Sequence, residues 1–226
     1  MKPRFLVGVW MTFWCAISMA QPILDSDYQF LKDYVEGLGE AVQLTTCLSN
    51  LDLGKPPRLD SLEKISSCRH CYAQGVNHML VASKLMSKHT GSDEAVIKEV
   101  AERLSFRYKL LSDIASEAEQ VYAKIQDVWM NPRNSTINLN QCQRDLAKVE
   151  NDRILNNMLI LSHCYLLEDN KSGGREVLAV TPEEKTELRN RLKEVFGEEV
   201  ISLNNSSTTA FVRCANLLYQ KLLAQE

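Results

Sequence analysis

The sequence of 226 residues predicts an all-α fold: a single domain of about six helices, built as a long antiparallel helical bundle tied by disulfides. Apolar residues recur at spacings of three and four over most of the chain, which is the period of a helix with one buried face. No run of alternating β-branched residues and no Asn-Gly or Asp-Gly hairpin turn occurs. No internal repeat and no long linker divides the chain, so consecutive helices are expected to pack as neighbours.

Caps and breakers set the bounds of the predicted helices. The second helix begins at Asp60, where Glu63 completes a capping box. Ser92 caps the third helix, Asn138 caps the fourth, and Thr181 followed by Pro182 marks the start of the fifth. The predicted ranges are 27–51, 60–89, 93–130, 139–167, 181–197 and 206–224.

The second half of the fourth helix, at 154–167, reads ILNNMLILSHCYLL. It is apolar almost all round, and a helix of that kind is normally buried on every side. We therefore expect the fourth helix to be the most buried of the six.

Residues 1–20 have the organisation of a cleaved signal peptide. Lys2 and Arg4 form a basic start, an apolar run of 5–17 follows, and small residues precede a cleavage site after Ala20. The apolar run is shorter than the roughly 20 residues that cross a bilayer. The sequence thus predicts a secreted, extracellular domain at 21–226, without stable membrane insertion.

The seven cysteines become six once the predicted signal peptide and its Cys15 are removed, and the net charge shifts from −3 to −5. An even number of cysteines in an oxidising compartment indicates disulfides. The predicted disulfide cysteines are Cys47, Cys68, Cys71, Cys142, Cys164 and Cys214. A register estimate at ~1.5 Å per residue, with the helices laid antiparallel from the first turn, ranks one of the fifteen pairings first: 47–68, 71–164 and 142–214.

Cys68-Arg69-His70-Cys71 is the one motif with known chemistry elsewhere. A thioredoxin-like redox pair would follow a strand at a helix N-terminus, and this motif falls two turns inside a predicted helix. A zinc site would need a second pair of ligands at matching spacing, and no second C-x-x-C occurs. The sequence therefore favours a structural role, with the two cysteines bonding to different neighbours, and predicts no metal and no cofactor.

Four Asn residues fit the N-x-S/T pattern of N-glycosylation, and all of them fall in segments that read as loops. The predicted glycosylation positions are Asn134, Asn170, Asn204 and Asn205. Because Asn204 and Asn205 are adjacent, we do not expect both to carry a glycan.

No mechanistic motif of a hydrolase, a metalloprotease or a nucleotide-binding enzyme occurs, so the sequence predicts no catalytic residue and a protein that is not an enzyme. The net negative charge gives no support for a nucleic-acid partner. Two functions remain. The first is an extracellular protein that binds another protein, as a ligand, cytokine-like factor or inhibitor. The alternative is a carrier that encloses a small hydrophobic ligand or lipid in a pocket lined by Met158, Leu159, Ile160 and Tyr165.

Overall fold

A computed structural model describes residues 27–51, 61–133, 136–165, 180–198 and 210–223. Within these ranges there are six long helices and no strand, which confirms the predicted all-α class. The helices are α1 (Asp27–Ser49), α2 (Leu62–Ser87), α3 (Ala95–Met130), α4 (Leu139–Cys164), α5 (Pro182–Phe196) and α6 (Ala210–Leu223). The predicted signal peptide at 1–20 and the sequons at Asn134, Asn170, Asn204 and Asn205 lie outside the described residues.

Side chains cap α2, α4 and α5 close to the predicted positions. The predicted Ser92 cap of α3 is wrong, because α3 begins at Ala95 and its N-cap is Glu94, which makes no side-chain capping hydrogen bond. Asn138 accepts hydrogen bonds from the first turn of α4, and Thr181 forms a complete capping box with Glu184 at the start of α5. The cap of α2 is Ser61, whose hydroxyl accepts from the backbone of Lys64 at 3.2 Å. The predicted start at Asp60 was therefore one residue early. Ser and Asp are both good caps, and the sequence Asp60-Ser61 offers each of them.

Helices α1 to α4 pack as three consecutive antiparallel pairs. In each pair the residue numbers of the contacts rise along one helix and fall along the other. Between α1 and α2 the pairs are Asp33–His89, Glu40–His78 and Cys47–Cys71. Between α2 and α3 they are Ser83–Ser105, Val76–Ser112 and Arg69–Glu119. Between α3 and α4 they are Arg107–Asn156 and Glu117–Lys148.

The last two helices pack back against this arrangement. α5 runs parallel to α1, because Lys32 pairs with Glu187 and Arg191 pairs with Glu36. α6 packs against α1, α4 and α5, and the Phe211 ring lies 6.4 Å from the Tyr108 ring of α3. Buried apolar residues of all six helices form one cluster. In the described ranges, no helix has the length and apolarity needed to span a membrane.

Two disulfides are present, and the predicted pairing is wrong. Cys47 bonds to Cys71, and Cys164 bonds to Cys214. Cys68 and Cys142 are buried free thiols. None of the predicted pairs 47–68, 71–164 and 142–214 occurs.

The register of α1 on α2 explains the first error. Leu44 packs directly on Gly75, where a Cβ atom would lie 2.7 Å from the Leu44 Cδ1 atom. This contact places Cys47 level with Cys71, and the first two turns of α2 project beyond the end of α1. Cys68 lies in that projecting part, and its side chain faces Tyr122 of α3 instead.

The position of α4 explains the other two errors. α4 packs against α3 and α6, so Cys164 is beside Cys214 and away from Cys71. Cys142 lies in the first turn of α4, about 33 Å along the helix from Cys164. A bond from Cys142 to Cys214 would therefore need α6 at the opposite end of α4.

The buried thiols lead to a testable expectation for the mature chain. Burial raises the pKa of the Cys68 and Cys142 thiols, and a buried thiol with a raised pKa reacts slowly. We expect an aromatic disulfide reagent to titrate two thiols per chain in denaturant and to react with them much more slowly in the native protein. A chain with no titratable thiol in denaturant would contradict the observed pairing.

Candidate interaction surface

The helix α4 buries one side and exposes the other. Asn156, Ile160 and Cys164 follow one another at spacings of four and are buried. On the opposite side Leu155 is 58% exposed and Met158 is 63% exposed. The prediction that α4 is the most buried helix was therefore wrong. The pattern of apolar residues predicted a helix correctly, but it did not predict that part of the apolar surface would be exposed.

The exposed side of α4 also carries no formal charge over its last three turns. We define the outer face of α4 by five exposed residues at spacings of one, three or four. These are Ile154, Leu155, Met158, Ser162 and Tyr165. They span about 17 Å of helix, in a chain in which 24% of residues are charged. An uncharged, largely apolar exposed strip of this length is typical of a surface that contacts another molecule.

Fixed contacts at both ends hold α4 in this orientation. Asn138 caps its first turn, and the Cys164–Cys214 disulfide ties its last turn to α6. Midway along the helix, the buried amide of Asn156 donates to the backbone oxygen of Arg107 at 3.0 Å. Rotation of α4 would break this hydrogen bond, so the outer face is held toward solvent.

Phe106 of α3 extends the apolar surface beyond α4. Its ring is 61% exposed. Because Asn156 is bonded to Arg107, the neighbouring residues Leu155 and Phe106 lie at the same level on two adjacent helices. The Arg107 guanidinium carbon lies 5.4 Å from the centre of the Phe106 ring, which is a cation–π distance. The candidate surface thus consists of the outer face of α4, Phe106 and Arg107.

A histidine with basic neighbours lies beneath this surface. His163 is 7% exposed, and its Nε2 atom has no hydrogen-bond partner among the described residues. Burial lowers the pKa of His163 below its ordinary value of 6.5, and the charges of Arg103 and Arg107 lower the pKa further, against an opposing contribution from Glu99. The imidazole is therefore neutral at pH 7.

The lowered pKa of His163 makes stability depend on pH. The unfolded chain binds a proton at this histidine more readily than the folded chain, so the free energy of unfolding falls as the pH drops below about 6.5. We expect part of the acid-induced loss of stability, measured by urea unfolding between about pH 7.5 and pH 5, to disappear in the variant His163→Gln. An unchanged pH dependence in that variant would contradict the assignment.

A groove lies between α1 and α2, on the side of the Cys47–Cys71 disulfide. It has a volume of about 190 Å³. Its lining is Gln43, Leu44, Thr46, Cys47, Asn50, Cys71, Gln74 and His78. The His78 Nδ1 atom lies 2.7 Å from the Glu40 carboxylate. The lining is mainly polar, contains no residue of α4, and so does not match the apolar pocket that a lipid carrier would need.

The predicted site residues do not come together at one site in the structure. Four cysteines form the two disulfides at opposite sides of the fold, and the other two stay reduced. Among the described residues, no group of three or more His, Cys, Asp or Glu side chains is arranged to hold a metal ion.

Sequence reasoning missed Phe106 and Arg107. The only available signal was that Arg107 interrupts the apolar stripe of the third helix, and an interruption alone does not indicate a surface.

No protein-family model, curated protein or solved structure matches this chain.

Proposed function

We propose that the mature chain is an extracellular protein that acts by binding another protein through the outer face of α4 and Phe106. One observation carries the proposal: three large apolar side chains within about one turn of α4, Ile154, Leu155 and Met158, are all exposed, on a face that has no charge. Their desolvation by a partner would contribute roughly 25 cal/mol for each Å² of apolar area buried. We propose no catalytic role.

The two disulfides support the extracellular location that we propose. Disulfides such as Cys47–Cys71 and Cys164–Cys214 persist in oxidising environments. The signal peptide at 1–20 and the four sequons predicted from the sequence support the same location. We further propose that 21–226 forms one bundle-like domain, in keeping with the shared apolar cluster of all six helices.

The alternative function, a carrier of a small hydrophobic ligand, receives less support. Its pocket was expected to be lined by Met158, Leu159, Ile160 and Tyr165. Met158 and Tyr165 instead lie on the outside of the protein, while Ile160 is fully buried in the apolar cluster. These side chains point in different directions from α4 and do not enclose a common space.

Binding assays with the secreted, glycosylated protein can test the proposal. The protein is captured on beads and exposed to extracellular fluid and detergent-solubilised cell surfaces, and bound protein and lipid are identified by mass spectrometry. We expect the wild type to retain a discrete protein that the variant Leu155→Glu, Met158→Glu loses. A matched control is Val81→Glu, which places the same charge at a 45% exposed apolar position on α2 and should retain the partner.

Three outcomes would contradict the proposal. These are retention of lipid alone, equal retention of the partner by the wild type and the double variant, and self-association as the only binding, detected by sedimentation.

A further inference from the structure

We infer that the partner presents a carboxylate flanked by apolar side chains, and that Arg107 binds this carboxylate at the edge of the outer face of α4. This inference rests on the proposed function, since it describes the partner of that same surface. Its basis is the position of Arg107 between the exposed Phe106 ring and the α3–α4 seam.

The side chain of Arg107 is held in place but has no counter-ion among the described residues. One guanidinium nitrogen lies 3.5 Å from the Asn156 Oδ1 atom, at the limit of a hydrogen bond. The guanidinium carbon lies 5.4 Å from the centre of the Phe106 ring. Both contacts limit the rotamers of a long side chain that is half-buried, so less conformational entropy is lost when it binds an anion.

Four other arginines of the described residues, unlike Arg107, have a carboxylate partner within the fold. Arg103, Arg153 and Arg191 each have a guanidinium nitrogen 2.5 Å from a glutamate oxygen. Arg69 has one at 2.7 Å from Glu119. Their donors are already used within the fold, whereas those of Arg107 remain available for a carboxylate.

The surroundings of Arg107 favour a carboxylate within an apolar surface. A guanidinium can donate two parallel hydrogen bonds to one carboxylate. When Phe106, Leu155 and Met158 are covered by a partner, water is excluded from these bonds, and the attraction between the two charges increases. Arginine is also one of the residue types that are enriched at the energetic hot spots of protein interfaces.

The charge at the α3–α4 seam is consistent with the same preference. Glu99 neutralises Arg103, and the nearby His163 ring is uncharged at pH 7. The positive charge of Arg107 therefore remains at the seam, although the whole chain is acidic. A partner with a positive charge at this point would be repelled.

The convex shape of the surface favours a protein over a free fatty acid. A fatty acid also combines a carboxylate with apolar groups, but its chain needs an enclosed tunnel or pocket. The outer face belongs to a single helix and is convex, so it fits a protein surface or a partner helix that lies across it.

Selection of peptides from an unbiased displayed library of random sequences tests the inference without knowledge of the natural partner. The full mature chain is the target, and clones are retained only if the double variant Leu155→Glu, Met158→Glu no longer binds them. We expect the retained clones to share an Asp or Glu flanked by apolar residues. We also expect Arg107→Met to weaken their binding by at least about tenfold. The matched control Lys109→Met removes an exposed charge from the same helix and should leave the affinity unchanged.

A second measurement does not depend on the folding of the Arg107 variant. Replacing the shared acidic residue of a retained peptide by Gln or Asn should weaken its binding to the wild-type chain by a similar factor. Retained clones without an acidic residue, or with equal affinity for wild type and Arg107→Met, would overturn the inference and leave the proposed function intact. Failure to retain any clone would overturn both, as would Arg107-dependent binding of oleate in place of peptide.

Discussion

Replacing Cys164 and Cys214 together by alanine is expected to lower the free energy of unfolding by about 4 kcal/mol. The bond joins residues 50 positions apart, so its loss releases a long loop in the unfolded chain and raises the entropy of that state. It also frees the last turn of α4 from α6. We expect urea unfolding to show the loss of stability, and hydrogen exchange to show faster opening near the C-terminal end of α4.

A second cysteine variant provides the control for this result. Cys142 is equally buried but forms no disulfide, so Cys142→Ala removes one sulfur atom without changing the covalent connections. We expect it to cost less than about 2 kcal/mol. A loss of less than about 1 kcal/mol in the double variant, or a larger loss in Cys142→Ala, would contradict the observed pairing.

Removal of the Asp33 carboxylate is expected to have the other large effect on stability. Asp33 is buried in α1 and lies 3.0 Å from the Nε2 atom of the buried His89 and 3.0 Å from the Nζ atom of Lys88. These contacts tie the start of α1 to the turn between α2 and α3. Breaking a buried charged network by removing one partner typically costs 3–5 kcal/mol, and we expect a loss of about that size in Asp33→Ala.

A surface ion pair on the same helix is the control. Lys32 is the residue before Asp33 and forms an exposed ion pair with Glu187 at 3.4 Å. Exposed pairs of this kind contribute less than about 1 kcal/mol. Comparable losses in Asp33→Ala and Lys32→Ala, measured by urea unfolding, would show that the buried network does not stabilise the fold as we describe.

Much of the local structure followed from short-range patterns in the sequence. The Asn138 cap and the start of α5 at Thr181 were predicted because the capping hydrogen bonds join residues two or three apart. Gly197, with a φ of 78°, ends α5 where a helix stop was expected. These features depend on neighbouring residues alone, so a single sequence is sufficient to predict them.

The long-range features were not predictable in the same way. The pairing of Cys47 with Cys71 depends on the fit of Leu44 against Gly75, which involves two helices and a register shift of only about one turn. The exposure of Leu155 and Met158 depends on which neighbours α4 acquires. The apolar content of α4 predicts that it can be buried on every side, and the arrangement of the other helices determines that it is not.

A photo-crosslinking amino acid at position 158 tests the central proposal most directly, because it reports what lies against the outer face of α4. The same amino acid at position 81 on α2 is the control, since Val81 is also apolar and exposed. We predict that illumination in extracellular fluid or on cell surfaces joins a discrete partner protein to position 158 and not to position 81. Equal crosslinking from both positions, or crosslinking of position 158 to lipid alone, would contradict the proposal.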